Sequence, residues 1–124
     1  MEYWSAAREG ECTLLAKLLE NATAENINFP HPKDATRPLS IASAKGHTEI
    51  VEMLLRNELV DVNATDKYGR TAVMMAGSAE IAQLLVDFPL IDLAIKDAEG
   101  QTALDTATYY KRTHIIEILR KTTK

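Results

Sequence analysis

Three histidines, one cysteine and 18 acidic residues are the stock from which this 124-residue chain could build acid–base, nucleophilic or metal chemistry. Histidine is the side chain whose charge changes nearest neutral pH. His31, His47 and His114 are widely separated, so no two share the short spacings by which paired ligands hold zinc. No HExxH, GxSxG or CxxC arrangement occurs. Cys12 has no second cysteine to pair with, which favours a reducing compartment. Near a helix start its thiol could be activated, or it is simply a small residue at a helix boundary. Nothing sets a nucleophile beside a base, so no catalytic, cofactor-binding or metal-binding residue is expected, and the chain reads as a non-enzyme.

The elements that would position any site come from one recurring block. RPLSIASAKGHTEIVEMLL (37–55) returns as TALDTATYYKRTHIIEILR (102–120). TAVMMAGSAEIAQLLV (71–86) is a copy three residues shorter, and YWSAAREGECTLLAKLLEN is a worn first copy. A period of about 33 residues is that of a solenoid, in which each unit buries its apolar face only against a neighbour. The repeats are expected at about 1–35, 36–69, 70–100 and 101–124, within one domain covering 1–124.

Each copy has a short segment of small apolar residues, a turn, and a longer segment with apolar residues at helical spacing, such as Ile50, Val51, Leu54 and Leu55. Helix pairs are predicted at 2–9 and 13–21, 38–45 and 48–57, 72–77 and 79–87, and 103–110 and 113–121, with extended fingers near 27–37, 60–71 and 92–102. Pro38 suits a first helical turn, where no amide hydrogen is needed. Thr71 and Thr102 are expected to cap through their hydroxyls. All five glycines fall at turns, where positive φ is expected, and none remains for a phosphate-cradling loop. Trp4 is expected in the core of the first helix.

Arg37-Pro38-Leu39-Ser40-Ile41-Ala42, Gly46-His47-Thr48-Glu49-Ile50-Val51 and Asp61-Val62-Asn63-Ala64 resemble the opening, middle and end of the ankyrin repeat. The resemblance covers nearly the whole chain. It implies an all-α repeat solenoid: a stack of four helix-turn-helix units joined by β-hairpin-like fingers. It makes His47 the structural turn histidine. Three departures stand out. The first finger carries Pro30 and Pro32 and lacks a glycine. The loops after the second and third copies are longer and apolar, so Leu59, Phe88 and Leu90 are expected to cover the edge of the stack. The third copy has lost the Gly-His turn, which should leave a notch in the concave face.

A net charge of −4 and a pI near 5.3 argue against a nucleic-acid partner. The N-terminus has neither the basic flank nor the apolar run of a targeting peptide, and no segment is long and apolar enough to span a membrane. The expectation is a monomer in the cytoplasm, the nucleus or both, with no membrane or nucleic-acid partner.

In ankyrin repeats the resemblance implies that partners bind the finger tips and the concave face of the first helices. Carried over, those positions are Arg8, Glu9, Ala44, Lys45, Ser78, Ala79, Tyr109 and Tyr110, with His31, Lys33, Asp34, Lys67, Tyr68, Arg70, Lys96, Glu99 and Gln101 on the fingers. Tyrosine and arginine dominate binding hot spots. The expected site therefore centres on Tyr68, Arg70, Tyr109 and Tyr110, flanked by Lys67, Lys45, Glu99 and Gln101. The expected function is a protein-binding adaptor or inhibitor with an unidentified protein partner. Met74-Met75-Ala76-Gly77-Ser78-Ala79-Glu80 is similar to the shortened repeat of the ankyrin-type cyclin-dependent kinase inhibitors, which makes such inhibition a narrower alternative. Asn63, with Leu55 eight residues before it, resembles a site of asparaginyl hydroxylation; otherwise it braces its finger by hydrogen bonds.

Overall fold

Residues 2–122 are described by a computed structural model of the chain. Among them are helices α1 (Glu2–Glu9), α2 (Cys12–Leu19), α3 (Ala24–Ile27), α4 (Pro38–Lys45), α5 (Thr48–Leu55), α6 (Ala79–Val86), α7 (Ala103–Tyr109) and α8 (Thr113–Thr122), and no strand. The helices form two layers. α1 packs on α4 in the first; α2, α5, α6 and α8 succeed one another in the second. Buried alanines (Ala6, Ala7, Ala42, Ala76 and Ala107) let the first layer approach closely. Leu15, Ile50, Leu54, Ile81, Leu85 and Leu119 fill the space behind them. Each such leucine or isoleucine contributes about 1.5–3 kcal/mol by leaving water.

Local signals set the helix boundaries. Pro38 opens α4 in the first turn, after extended Arg37. Thr102 opens α7 with a reciprocal cap: its hydroxyl accepts from the Asp105 amide, and the Asp105 carboxylate accepts from the Thr102 amide. The same device, Thr23 with Asn26, opens α3, a single turn that the sequence reading passed over.

The shortened unit departs from expectation. Segment 72–77 forms no helix. It makes consecutive tight turns instead, Met75 N donating to Ala72 O at 3.1 Å and Ala76 N to Val73 O at 3.4 Å. Without the three deleted residues the chain must pass to α6 before a helical turn is complete. Thr71 consequently has no helix to cap, and its buried hydroxyl has no hydrogen-bond partner among the described residues. Ser78 does the capping instead, accepting from Ile81 N.

Neighbours hold this turn from both sides. Ser43, fully buried in α4, donates its hydroxyl to Ala72 O at 2.8 Å, and its carbonyl accepts from Gly77 N at 2.9 Å. Gly77 does not have positive φ, unlike the other four glycines. It is needed for close approach: a Cβ there would lie 3.0 Å from Ser43 O and 3.2 Å from Ala44 O.

The fingers are hairpin turns stacked in a row. Lys67 N donates to Asp34 O (2.8 Å) and Ala98 N to Tyr68 O (2.9 Å). Ala35 takes positive φ (61°) where the later fingers have glycine. Tyr3, not Trp4, is the buried aromatic of α1; Trp4 is half-buried against the first finger. Phe88 packs on the core, but Leu90 is 74% exposed and Leu59 is 40% exposed, so these two do not seal the edge. Their carbonyls matter instead. Asn28 donates to Leu59 O (2.9 Å) and accepts from Asp61 N (2.8 Å); Asn63 does the same with Leu90 O (2.8 Å) and Asp92 N (2.9 Å).

Candidate functional site

The shortened turn leaves room between α4 and α7, and the second and third fingers wall it on one side. The result is an open groove of about 610 Å³. Arg70, Glu99 and Gln101 line it from the fingers, Met74 and Met75 from the floor, and Tyr109, Tyr110 and Arg112 from the end of α7. Of the residues expected at the site, Arg70, Glu99, Gln101, Tyr109 and Tyr110 share this groove. Tyr68 and Lys67 stand on the adjoining finger tip outside the lining, and Lys45 lies beyond Ala44 at the end of α4.

Arg70 is held by a buried carboxylate. Asp66 accepts its Nε at 2.8 Å and the amides of Tyr68 and Arg70 at 2.9 and 3.0 Å. The Asp66 side chain is inaccessible, so this ion pair is screened by solvent far less than a surface pair. The fixed guanidinium lies 5.0 Å from the Tyr68 ring centre, and Lys67 Nζ lies 5.1 Å from it. A cation over a ring face is attracted by the ring quadrupole.

Tyr109 and Tyr110 pack edge-to-face with centroids 5.0 Å apart, yet remain 71% and 61% exposed. They do not tuck beneath the final helix. Arg112 reaches the shortened turn, donating to Ala76 O at 2.8 Å, with its guanidinium 5.5 Å from the Tyr110 ring. Arg112 was missed as a groove residue. Its signal was positional: it occupies the place held by His47, whose Nε2 lies 2.9 Å from Arg8 O in the preceding unit. Both residues bridge to the first-layer carbonyl of the unit before them.

The remaining candidates have structural occupations. His47 packs against Gly10 and bridges to Arg8. His31 lies 4.2 Å from the Trp4 ring and accepts from Lys33 N at 3.1 Å. Trp4 Nε1 donates to Thr36 Oγ1 (2.9 Å), whose hydroxyl donates to Asp34 (2.8 Å). The Thr36 amide and hydroxyl hold the Asp34 carboxyl below the usual aspartate range. Burial pushes the Cys12 thiol up, with Glu49 beside it adding to the rise, the reverse of an activated thiolate. The Asn63 side-chain amide is engaged at both ends by the next unit. Among the described residues no cluster of histidine, cysteine and carboxylate is placed to hold a metal, and no helix is long and apolar enough to cross a membrane.

The family described as Ankyrin repeats (3 copies) matches residues 4–97 and again 39–124. A relative is the E3 ubiquitin-protein ligase XBAT33 of Arabidopsis thaliana, 40% identical over 72 residues. That match takes in 58% of this chain but spans only 14% of that protein. Two layers of short helices, a row of stacked finger turns and a family match along nearly all of the sequence agree: this chain belongs to the ankyrin repeat family.

Proposed function

We propose that this chain acts as a protein-binding module, an adaptor or inhibitor that works by occupying a partner's surface and not by catalysis. The groove at the shortened unit is its principal contact. One observation carries the reading: two adjacent, largely exposed tyrosines face a rigidly held arginine across a groove walled by the fingers. Tyrosine and arginine are the types that dominate binding energy. The test is quantitative capture from lysate with the wild type and with a Tyr109→Ala/Tyr110→Ala variant whose circular dichroism is unchanged. A protein retained by the first and lost by the second supports the groove; equal capture by both sinks it.

The narrower reading, inhibition of a cyclin-dependent-kinase-type enzyme, is favoured by the helix-free turn at 72–75. It ends if a purified kinase of that group shows no binding at high micromolar concentration. Hydroxylation of Asn63 would require both of its bridging hydrogen bonds to open. A bracing role suits this geometry better, and an intact mass of the Asn63 peptide from native protein without added oxygen would agree with it.

A further inference from the structure

The groove at the shortened unit is lined by charges of both signs. Arg70 and Arg112 stand in it with Asp97 and Glu99. Arg70 is held by Asp66, and Arg112 donates to Ala76 O. The Asp97 carboxylate accepts the Glu99 and Gln101 amides at 2.9 and 3.0 Å. A cationic segment entering the groove meets two guanidinium groups, and an anionic one meets two carboxylates. Like charges set together across an interface cost affinity. The balance selects an uncharged side chain.

The lining narrows the choice further. Tyr109 and Tyr110 stand at an interplanar angle of 89°, so the pair offers a ring face and a ring edge side by side. Rings meet best offset-stacked or edge to face, and a third ring can use both arrangements here. Guanidinium planes stack on aromatic faces. Both arginines of the groove already lie over tyrosine rings, yet Arg112 is exposed and the Arg70 side chain is 42% exposed, so neither plane is fully covered. Met75, half-buried in the floor beside buried Met74, adds a thioether, a favourable neighbour for a ring. An aliphatic side chain would cover the guanidinium groups without giving them a partner, and burying an unpaired polar group is costly.

We infer that the groove takes an aromatic side chain of the partner protein, tryptophan above all, its ring against Tyr109, Tyr110 and Met75. Glu99 and Gln101, in the same lining, supply acceptors for an indole N–H. This rests on the protein-binding reading above and names what the partner inserts. The groove's volume of about 610 Å³ lies within the roughly 300–1,000 Å³ of ligand pockets, which leaves room for one indole and the backbone that carries it. A nucleobase is also a flat ring, but a chain of net charge −4 is poorly suited to the phosphates that accompany it.

The test uses the whole chain labelled with ¹³C at its methionine methyl groups. The probes are N-acetyl-tryptophanamide, N-acetyl-leucinamide, N-acetyl-argininamide and a short oligothymidylate. The tryptophan probe should shift the Met75 methyl saturably, while the Met53 methyl, on α5 in the second layer, stays in place. The leucine probe should bind about two- to tenfold more weakly. Tyr109→Leu with Tyr110→Leu keeps apolar bulk and removes both rings. With circular dichroism unchanged, that variant should bind the tryptophan probe about tenfold more weakly.

The inference is overturned if the tryptophan probe leaves the Met74 and Met75 methyls unmoved at its solubility limit. It is overturned equally if the leucine or arginine probe binds as tightly, or if the double variant binds the tryptophan probe unchanged. Tighter binding of oligothymidylate would assign the rings to nucleobases and also overturn it. A captured partner that needs Tyr109 and Tyr110 but is not displaced by N-acetyl-tryptophanamide would remove the aromatic occupant and keep the protein-binding reading. Tyrosine-dependent Met75 shifts with no protein captured would support the aromatic site and remove that reading.

Discussion

Lys111 takes φ of 57° at the end of α7, in the left-handed region. A side chain there crowds the following carbonyl, at a cost of about 1–2 kcal/mol relative to glycine's freedom. In the second unit the same position is Gly46, with φ of 77°. The surrounding hydrogen bonds are alike: Arg112 N donates to Ala107 O and His47 N to Ala42 O, both at 3.0 Å. The conformation is thus imposed by the fold, and Lys111 is the residue that does not suit it. Lys111→Gly should relieve that cost, less about 0.5–1 kcal/mol for the greater freedom of glycine in the unfolded chain. The net gain is about 0.5–1 kcal/mol. Unfolding entropy of about 2.1 cal/mol/K per residue, over the whole chain, converts this into a Tm rise of about 2–4 °C. Gly46→Ala should lower Tm by a similar amount, since a Cβ there meets nothing and only the backbone cost is read. Lys111→Ala removes the charge without relieving the strain and should not stabilise. Thermal and urea unfolding followed by circular dichroism measure all three. If Lys111→Gly and Lys111→Ala behave alike, positive φ is not what limits the last unit and the reasoning fails.

Thr71 and Thr102 hold the same place in successive units but should respond oppositely. Thr71→Val removes a buried hydroxyl with no partner and should stabilise by about 1 kcal/mol, while Thr102→Val removes a working cap and should cost about the same; urea midpoints moving in one direction would contradict this. Gly77→Ala should destabilise by about 1–3 kcal/mol, because its Cβ meets the Ser43 and Ala44 carbonyls and not a flexible side-chain tip. An unchanged urea midpoint would mean the shortened turn is slack. Asp34, whose pKa is lowered in the folded state, should contribute stability above the ordinary aspartate value of about 3.9 and lose it as pH falls through the lower folded value, where both states are protonated. Urea unfolding read from Trp4 fluorescence between pH 6 and 2.5 should therefore show a steeper acid loss in the wild type than in Asp34→Asn; parallel curves would remove Asp34 from that role.

The repeat itself was legible because its physics is local and recurs. Small residues, a turn glycine and apolar residues at helical spacing give α1, α2, α4, α5, α7 and α8 within a residue or two. The phase of the copies also put Tyr109 and Tyr110 on the exposed side of α7, where they are. Three residues were missing from the third copy, and that alone announced a gap between Tyr68's finger and α7.

What fills the gap was decided by contacts between units. A six-residue segment with helical composition stays in tight turns because Ser43 and Arg112 satisfy its carbonyls from either side. Thr71 reads as a cap and is not one, since capping needs a helix that the deletion removed. Tyr3 and Trp4 are equally apolar neighbours on α1; which one is buried depends on the direction of α4 and of the first finger.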